Sequence, residues 1–330
     1  MTDLYSKIVS TGSYLPQKIY TNHDIEKLVD TSHDWIVERT GIISRHIADE
    51  KESSVDMAYE ASCKALERSN LKNNDIDLIL VATTTPERKF PSTAVLLQSL
   101  LNNNKASAFD VNAACTGFIY ALDIADKYIK GGFAKNVLVV GTEKITSLID
   151  WSDRNTCVLF GDGAGAVLLE PNHEGNGVQD FILKSDGSGK DYLLQPGGGS
   201  LYPPSMETIE NRMHFVKQEG KQVFKFAVTN MADVSAEIME KNNLSSEDVD
   251  WLVPHQANLR IIDATANRMG LSKDKVMINI QKYGNTTAGT LPLCLWDYEN
   301  QLKKGDNIVL SAFGGGFTWG AVYLKWAYNS

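Results

Sequence analysis

The chain has 330 residues, 43% of them hydrophobic and 22% charged, so it can bury a full core without staples as two domains or one large one. With 32 basic against 41 acidic residues the formal charge is −9, which argues against general nucleic-acid binding. The four cysteines form no Cys-x-x-Cys pair, the first residues lack a charged start before an apolar run, and no stretch reaches about 18 uncharged apolar residues. These features predict no zinc site, no signal peptide, no membrane span and a cytoplasmic protein with reduced thiols.

The first clear unit is a helical pattern from about Met57 to Ser69, a polar turn, and the apolar run Leu78-Ile79-Leu80-Val81. Such a run, bounded by turn residues, fits a parallel strand covered on both faces. The strand-like Ala108-Phe109-Asp110-Val111 follows, and a helical pattern covers Gly117 to Lys130. Cys115 lies between them, at or near a helix N-terminus, where unpaired amides and the helix dipole favour a thiolate. Ala113, Ala114 and Gly117 leave room for a substrate beside it. Most free cysteines are simply buried, and Cys63 and Cys294 fit that description better, while Cys157 reads either way.

Val158 to Leu168 reads as a strand, a glycine turn and a returning strand, and Pro171 to Gly177 reads as a join. The pattern then recurs. A helical stretch from about Val228 to Lys241 leads through a polar turn into Trp251-Leu252-Val253, and Val309 to Val322 repeats strand, glycine turn and strand. Two matched pairs in the same order predict a duplication, with α/β halves at 1–174 and 175–330. Pro254 is expected to end regular pairing of its strand and to set His255 at the C-terminal edge, where open parallel sheets bind ligands. Asn285 sits in Tyr-Gly-Asn-Thr-Thr, and Gly314-Gly315-Gly316 could turn a backbone N–H toward an oxyanion. Each of these residues also has an ordinary structural reading. Together, a Cys, a His and an Asn in that order are the parts of a thiol-based acyl transfer site.

From Gly12-Ser13-Tyr14-Leu15-Pro16 to Gly314-Gly315-Gly316-Phe317-Thr318-Trp319-Gly320, and above all from Val253 to Arg260, the chain resembles the β-ketoacyl-acyl carrier protein synthase III family of thiolase-fold condensing enzymes. The resemblance implies a five-layer αβαβα fold of two similar halves and a homodimer. It implies that Cys115 takes an acyl group from an acyl-CoA, with its own N–H and that of Gly315 as the oxyanion hole. His255 and Asn285 would then stabilise the enolate formed when malonyl-acyl carrier protein loses carbon dioxide, and no cofactor is needed beyond the coenzyme A thioester that serves as substrate. Thr31, Trp35, Arg39, Arg154, Phe224, Ala257 and Asn258 fall on the family's CoA and pantetheine positions, with Trp35 stacking on the adenine. Phe90 falls on an acyl-pocket position reached across the dimer, and Lys225, Arg260 and Arg268 on a carrier-docking surface. Lys217, Lys221 and Lys225 are spaced by four and would share a helix face.

Departures from the family pattern are Asn155 after the Arg, Lys221 near the pantetheine arm, and the charged run Glu87-Arg88-Lys89 before Phe90. Two other readings use the same residues. A cysteine protease or amidase would have His255 deprotonate the thiol and Asn285 orient the His. A thiolase-fold relative could make 3-hydroxy-3-methylglutaryl-CoA, with Glu87 as the only loop candidate for its carboxylic acid, or serve secondary metabolism.

Overall fold

In the computed structural model, which describes residues 4–329, the run after the first helical pattern is a strand with every residue buried. Alternate side chains leave a strand on opposite faces, so a run apolar at each position needs cover on both. A five-stranded sheet takes β1 (Tyr5–Tyr14), β2 (Leu78–Ala82), β3 (Ser107–Val111), β4 (Val137–Glu143) and β5 (Gly163–Asn172), in the order β1-β5-β4-β2-β3. Within it β2 is parallel to β3 and β4, and β5 is antiparallel to β1 and β4. A four-stranded sheet takes β6 (Gly177–Ser185), β7 (Trp251–Pro254), β8 (Asn307–Gly314) and β9 (Thr318–Lys325), in the order β7-β8-β9-β6. Only its β7–β8 pair is parallel.

The helices that set the layers are α1 (His33–Thr40), α2 (Ser54–Glu67), α3 (Thr93–Leu100), α4 (Gly117–Lys130), α5 (Gly220–Lys241), α6 (Leu259–Met269) and α7 (Thr290–Tyr298). Leu78, Leu80, Val137 and Val139 share a core with Leu310 and Val322 of the second sheet, filled by Phe118 and Leu122 of α4 and Leu291 and Leu295 of α7. The opposite faces turn outward. Ile79, Val81, Leu138 and Val140 pack on α2 and α3, while Val309, Ala321 and Tyr323 pack on α5 and α6. The result is the expected thiolase-like αβαβα stack, with α4 and α7 as its central layer.

Two local expectations are corrected. Val158-Leu159-Phe160 is not a strand. A helical turn at Arg154–Cys157 precedes it, Phe160 forms an isolated bridge to Asn285, and the returning strand starts only at Gly163. The segment is used to hold the Asn285 loop instead of extending the sheet. Pro254 does not end pairing either: it stays in register with Ser311, and the next amide, His255 N–H, still donates to Ser311 O at 2.8 Å. Proline lacks only its own donor, so a strand edge can carry it. No helix among the described residues is long and apolar enough to cross a membrane.

The central layer meets the sheets at glycine contacts. A Cβ at Gly141 of β4 would lie 2.2 Å from Ala288 O, in the turn that follows Asn285. Gly141→Ala is therefore expected to destabilise the protein by on the order of 1–3 kcal/mol, as overpacking does. A urea midpoint equal to that of the parent protein would show that the turn moves aside without cost.

Candidate active site

Cys115 lies in the single helical turn Ala114–Thr116 just before α4 and is 7% exposed. The preceding residue, Ala114, has φ of +48°, a left-handed conformation that costs a residue with a Cβ energy and that clusters at functional turns. The loop is tied to the second sheet by Thr116 Oγ1, which donates to Thr318 O, and by Thr318 Oγ1, which donates to Ala113 O. Gly314 closes on it so tightly that a Cβ there would sit 2.8 Å from Cys115 N. The expected thiolate is not what this environment favours. Burial first, and the charge of Glu143 second, push the Cys115 thiol up to about 12. Both effects oppose the thiolate that the start of α4 would favour.

His255 follows β7 and is 2% exposed. Burial pushes it down to about 3, so its imidazole is neutral. Its Nδ1 lies 2.7 Å from Thr290 Oγ1, at the start of α7. Asn285 is held by its backbone, donating to Leu159 O and accepting from Gly161 N–H. Its Oδ1 accepts from Thr287 N–H at 2.9 Å, which leaves the amide NH₂ as the group free to donate. Gln256, fully buried, ties the end of β7 to residues 277–280. Its Nε2 donates to Pro254 O and Met277 O, and its Oε1 accepts from the amides of Asn279 and Ile280.

Cys115, His255 and Asn285 line one cavity of about 440 Å³. Its wall is apolar around Val223, Phe224, Ala227, Met231, Ile261 and Phe313, and its rim carries Trp35, Arg39, Arg154, Lys221 and Arg260. No carboxylate lines it among the described residues. The guanidinium carbons of Arg39 and Arg154 each lie 5.0 Å from the Trp35 ring centroid, and Arg260 stacks on Phe224 at 4.5 Å. Ala257 and Asn258 also face the cavity, and the Asn258 side chain caps α6 and donates to Arg39 O.

The remaining candidates lie elsewhere. Thr31 is outside the cavity wall, its hydroxyl buried and unpaired. Gly315 adjoins the wall through Gly314, and no hydrogen bond engages its amide among the described residues. Phe90 is 83% exposed and away from this cavity. Lys225 shares a face of α5 with Lys221, whereas Lys217 belongs to a short strand, so the row of three reduces to a pair. Arg268 pairs with Asp233 at 3.1 Å in a groove also lined by Glu237 and Glu240, which makes its surroundings acidic. Glu87 accepts from Val55 N–H and Thr93 Oγ1, pinning its loop.

The carboxyl that does act on Cys115 is Glu143, which the sequence reading missed. It ends β4, is fully buried, and accepts from Thr84 N–H, Thr84 Oγ1 and Thr85 Oγ1. Burial pushes it up to about 7 against those hydrogen bonds. The run Thr83-Thr84-Thr85 at the end of a buried strand was the available signal: hydroxyls there need an acceptor. Gln256, directly after His255, carried a comparable signal, as a large amide at the end of a buried strand.

Residues 109–187 match the family model described as 3-oxoacyl-[acyl-carrier-protein (ACP)] synthase III, and residues 239–326 match the one for its C-terminal part. The chain is 50% identical over 330 residues to beta-ketoacyl-[acyl-carrier-protein] synthase III 2 of Bacteroides thetaiotaomicron, covering 100% of this chain and 98% of the relative. The crystal structure of 3-oxoacyl-[acyl-carrier-protein] synthase III from Aquifex aeolicus VF5 is similar at a TM-score of 0.90 and 46% identity, over 97% of this chain and 100% of that one. The priming β-ketosynthase of the R1128 polyketide biosynthetic pathway is similar at 0.91 and 32% identity, over 99% and 97%.

The buried groups make acid stability a test of the geometry. Unfolded His255 binds a proton below 6.5, whereas the folded form does so only near 3. Its contribution is therefore complete above pH 6.5 and is lost as pH falls toward 3. Glu143 runs the other way: its contribution is complete below 4.5 and is lost as pH rises through about 7. His255→Gln should gain about 3 kcal/mol relative to the parent protein between pH 7 and pH 4, read from urea unfolding at each pH. A pH-independent difference would place His255 in water.

Proposed function

The chain belongs to the 3-oxoacyl-[acyl-carrier-protein] synthase III family, and from that premise we propose that it condenses an acyl-CoA primer with malonyl-acyl carrier protein to give a 3-ketoacyl carrier protein, the initiating step of fatty acid synthesis. The observation that carries this is one cavity joining a cationic rim, an apolar shaft and a Cys-His-Asn floor. The rim of Arg39, Arg154, Lys221 and Arg260 suits the phosphates of coenzyme A, and Trp35 offers a face for the adenine. The shaft suits a pantetheine arm.

At the floor, Cys115 would take the acyl group, with the Cys115 and Gly315 amides facing the oxyanion. Malonyl carrier protein would enter after coenzyme A leaves. Loss of carbon dioxide leaves an enolate whose thioester oxygen accepts from Asn285 Nδ2, and from His255 Nε2 when that nitrogen carries a proton. The carbanion attacks the acyl carbon, the carbon–sulfur bond to Cys115 breaks, and the sulfur takes up a proton. Residues 1–174 would carry the nucleophile and 175–330 the His and Asn, a division supported by the fact that the strands of each sheet come from one side of Asn172–Gly177.

The protease-like alternative is weakened by geometry. Asn285 Oδ1 is held by Thr287 and His255 Nδ1 by Thr290, so the Asn does not orient the His. Glu87 is spent on Val55 and Thr93, which removes the one loop candidate for the glutaryl-CoA reaction. Likeness to a polyketide priming ketosynthase keeps a specialised pathway as the second reading.

The same proposal includes a homodimer. β3 is an edge strand with its outer side unpaired, and Phe90, Val95 and Leu100 are exposed near it. An unpaired edge beside apolar side chains suits strand pairing with a second copy. Phe90 would then reach the partner's acyl pocket. For docking, Lys225 and Arg260 near the rim suit an acidic carrier better than Arg268 does.

Incubation with a panel of acyl-CoAs should leave an acyl adduct on Cys115 by mass spectrometry, and none in Cys115→Ser. Asn285→Ala should still acylate while condensation falls by about 10²–10³, the usual cost of one oxyanion donor. Label on Cys63, Cys157 or Cys294 would refute the assignment of the nucleophile. For Phe90→Ala, a dimer by sedimentation with acceptance shifted to longer or branched acyl groups is expected; an unchanged profile removes Phe90 from the pocket.

A further inference from the structure

Asn285 is placed by its backbone, which exchanges hydrogen bonds with Leu159 and Gly161, so whatever holds the 158–161 segment also aims the Asn285 amide. That segment is gripped by the short strand Ser44–Ile47. His46 O accepts from Asp162 N–H at 2.8 Å, and Arg45 Nη2 donates to Val158 O at 2.8 Å. The same stretch of chain holds the other side of the bridge: Ile43 N–H donates to Gln281 O, and Ser44 Oγ to Lys282 O. Arg45 meets both sides at once. A Cβ on Gly161 would sit 2.9 Å from Arg45 Cβ, and one on Gly284 would sit 3.4 Å from it.

Arg45 is fully buried, and burial pushes its guanidinium down to about 10, which leaves it cationic at neutral pH. Its hydrogen-bond partners are three neutral oxygens: Val158 O, Asn22 Oδ1 at 3.0 Å and Tyr20 O at 3.4 Å. Its Nε has none. Burying a charge against neutral groups alone is costly. An apolar side chain would fill the space at lower cost, but it could not tie Tyr20 and Asn22 to Val158 through one planar head.

We infer that Arg45 is a positioning residue for the decarboxylating half of the reaction: through Val158 and the Gly161–Gly284 contact it holds the backbone that aims the Asn285 amide. This rests on the condensation reading, and it adds to that reaction a residue outside the cavity wall.

The test is a double-mutant cycle that follows acylation by acetyl-CoA and carbon dioxide release from malonyl-acyl carrier protein. Arg45→Lys keeps the charge and loses the fork. It should lower carbon dioxide release by about 10²-fold, the cost of misplacing a reacting group by roughly 1 Å, while Cys115 acylates at the parent rate. Asn22→Ala removes one acceptor of the fork and should act more mildly in the same direction, which serves where Arg45→Lys does not fold. In an Asn285→Ala background neither substitution should lower release further, because the group it acts through is gone. Deuterium uptake should rise at the Gly161 and Asn285 amides in both variants. Additive losses in the cycle, unchanged uptake at those amides, or acylation falling as steeply as release overturns the inference. If the parent protein releases no carbon dioxide while uptake at Gly161 and Asn285 still follows Arg45, the condensation reading fails and the placement of Asn285 by Arg45 stands.

Discussion

The close approach of two backbones is the constraint on which the site depends. Residues far apart in the chain meet where Gly314 lies against the Cys115 amide and where Gly141 lies against Ala288. Neither contact leaves room for a Cβ. The first brings the nucleophile loop to the glycine turn of the second sheet, and the second brings the Asn285 turn onto β4, the middle strand of the first sheet. The Thr116–Thr318 hydrogen bonds then lock the crossing. Without these approaches the Cys, His and Asn would belong to separate surfaces.

Enclosure at that crossing governs the chemistry. Burial raises Cys115 and Glu143 and lowers His255, so the neutral form of each is favoured. Buried polar groups need partners, and three around the site have them: threonine hydroxyls for Glu143, four backbone groups for Gln256, the Thr287 amide for Asn285. These groups sit in a buried setting, in which a single hydrogen bond counts for more than it would in water.

Much of the layering was legible in the sequence. The helical stretch ahead of α4's end, the buried run of β2, and the second helix–strand unit leading to β7 follow from periodicity and from apolar runs bounded by turns. The Cys, His and Asn motifs were legible as chemistry in small-residue turns. Contacts between distant segments were not. Phe160 abandons a sheet-like pattern because it must hold Asn285, and Glu143 hides within an apolar strand with its partners some 60 residues away. Thr290 reads as an ordinary helix start. The depth of the pocket also escaped the sequence: a helix N-terminus promised a thiolate, and only the burial of Cys115 reverses that.

The charge layout has its own consequence. A body of formal charge −9 carries its cavity-facing cations on one rim, with no carboxylate among them. The entrance is thus locally cationic on a molecule that is acidic as a whole. An anion near the opening is attracted by the rim, while the net charge of the body opposes its approach in general. Added salt would shorten that reach to within a Debye length, about 8 Å at physiological strength, and act far less on the buried floor. Ionic strength should therefore govern how often a ligand arrives, and burial what happens to it afterwards.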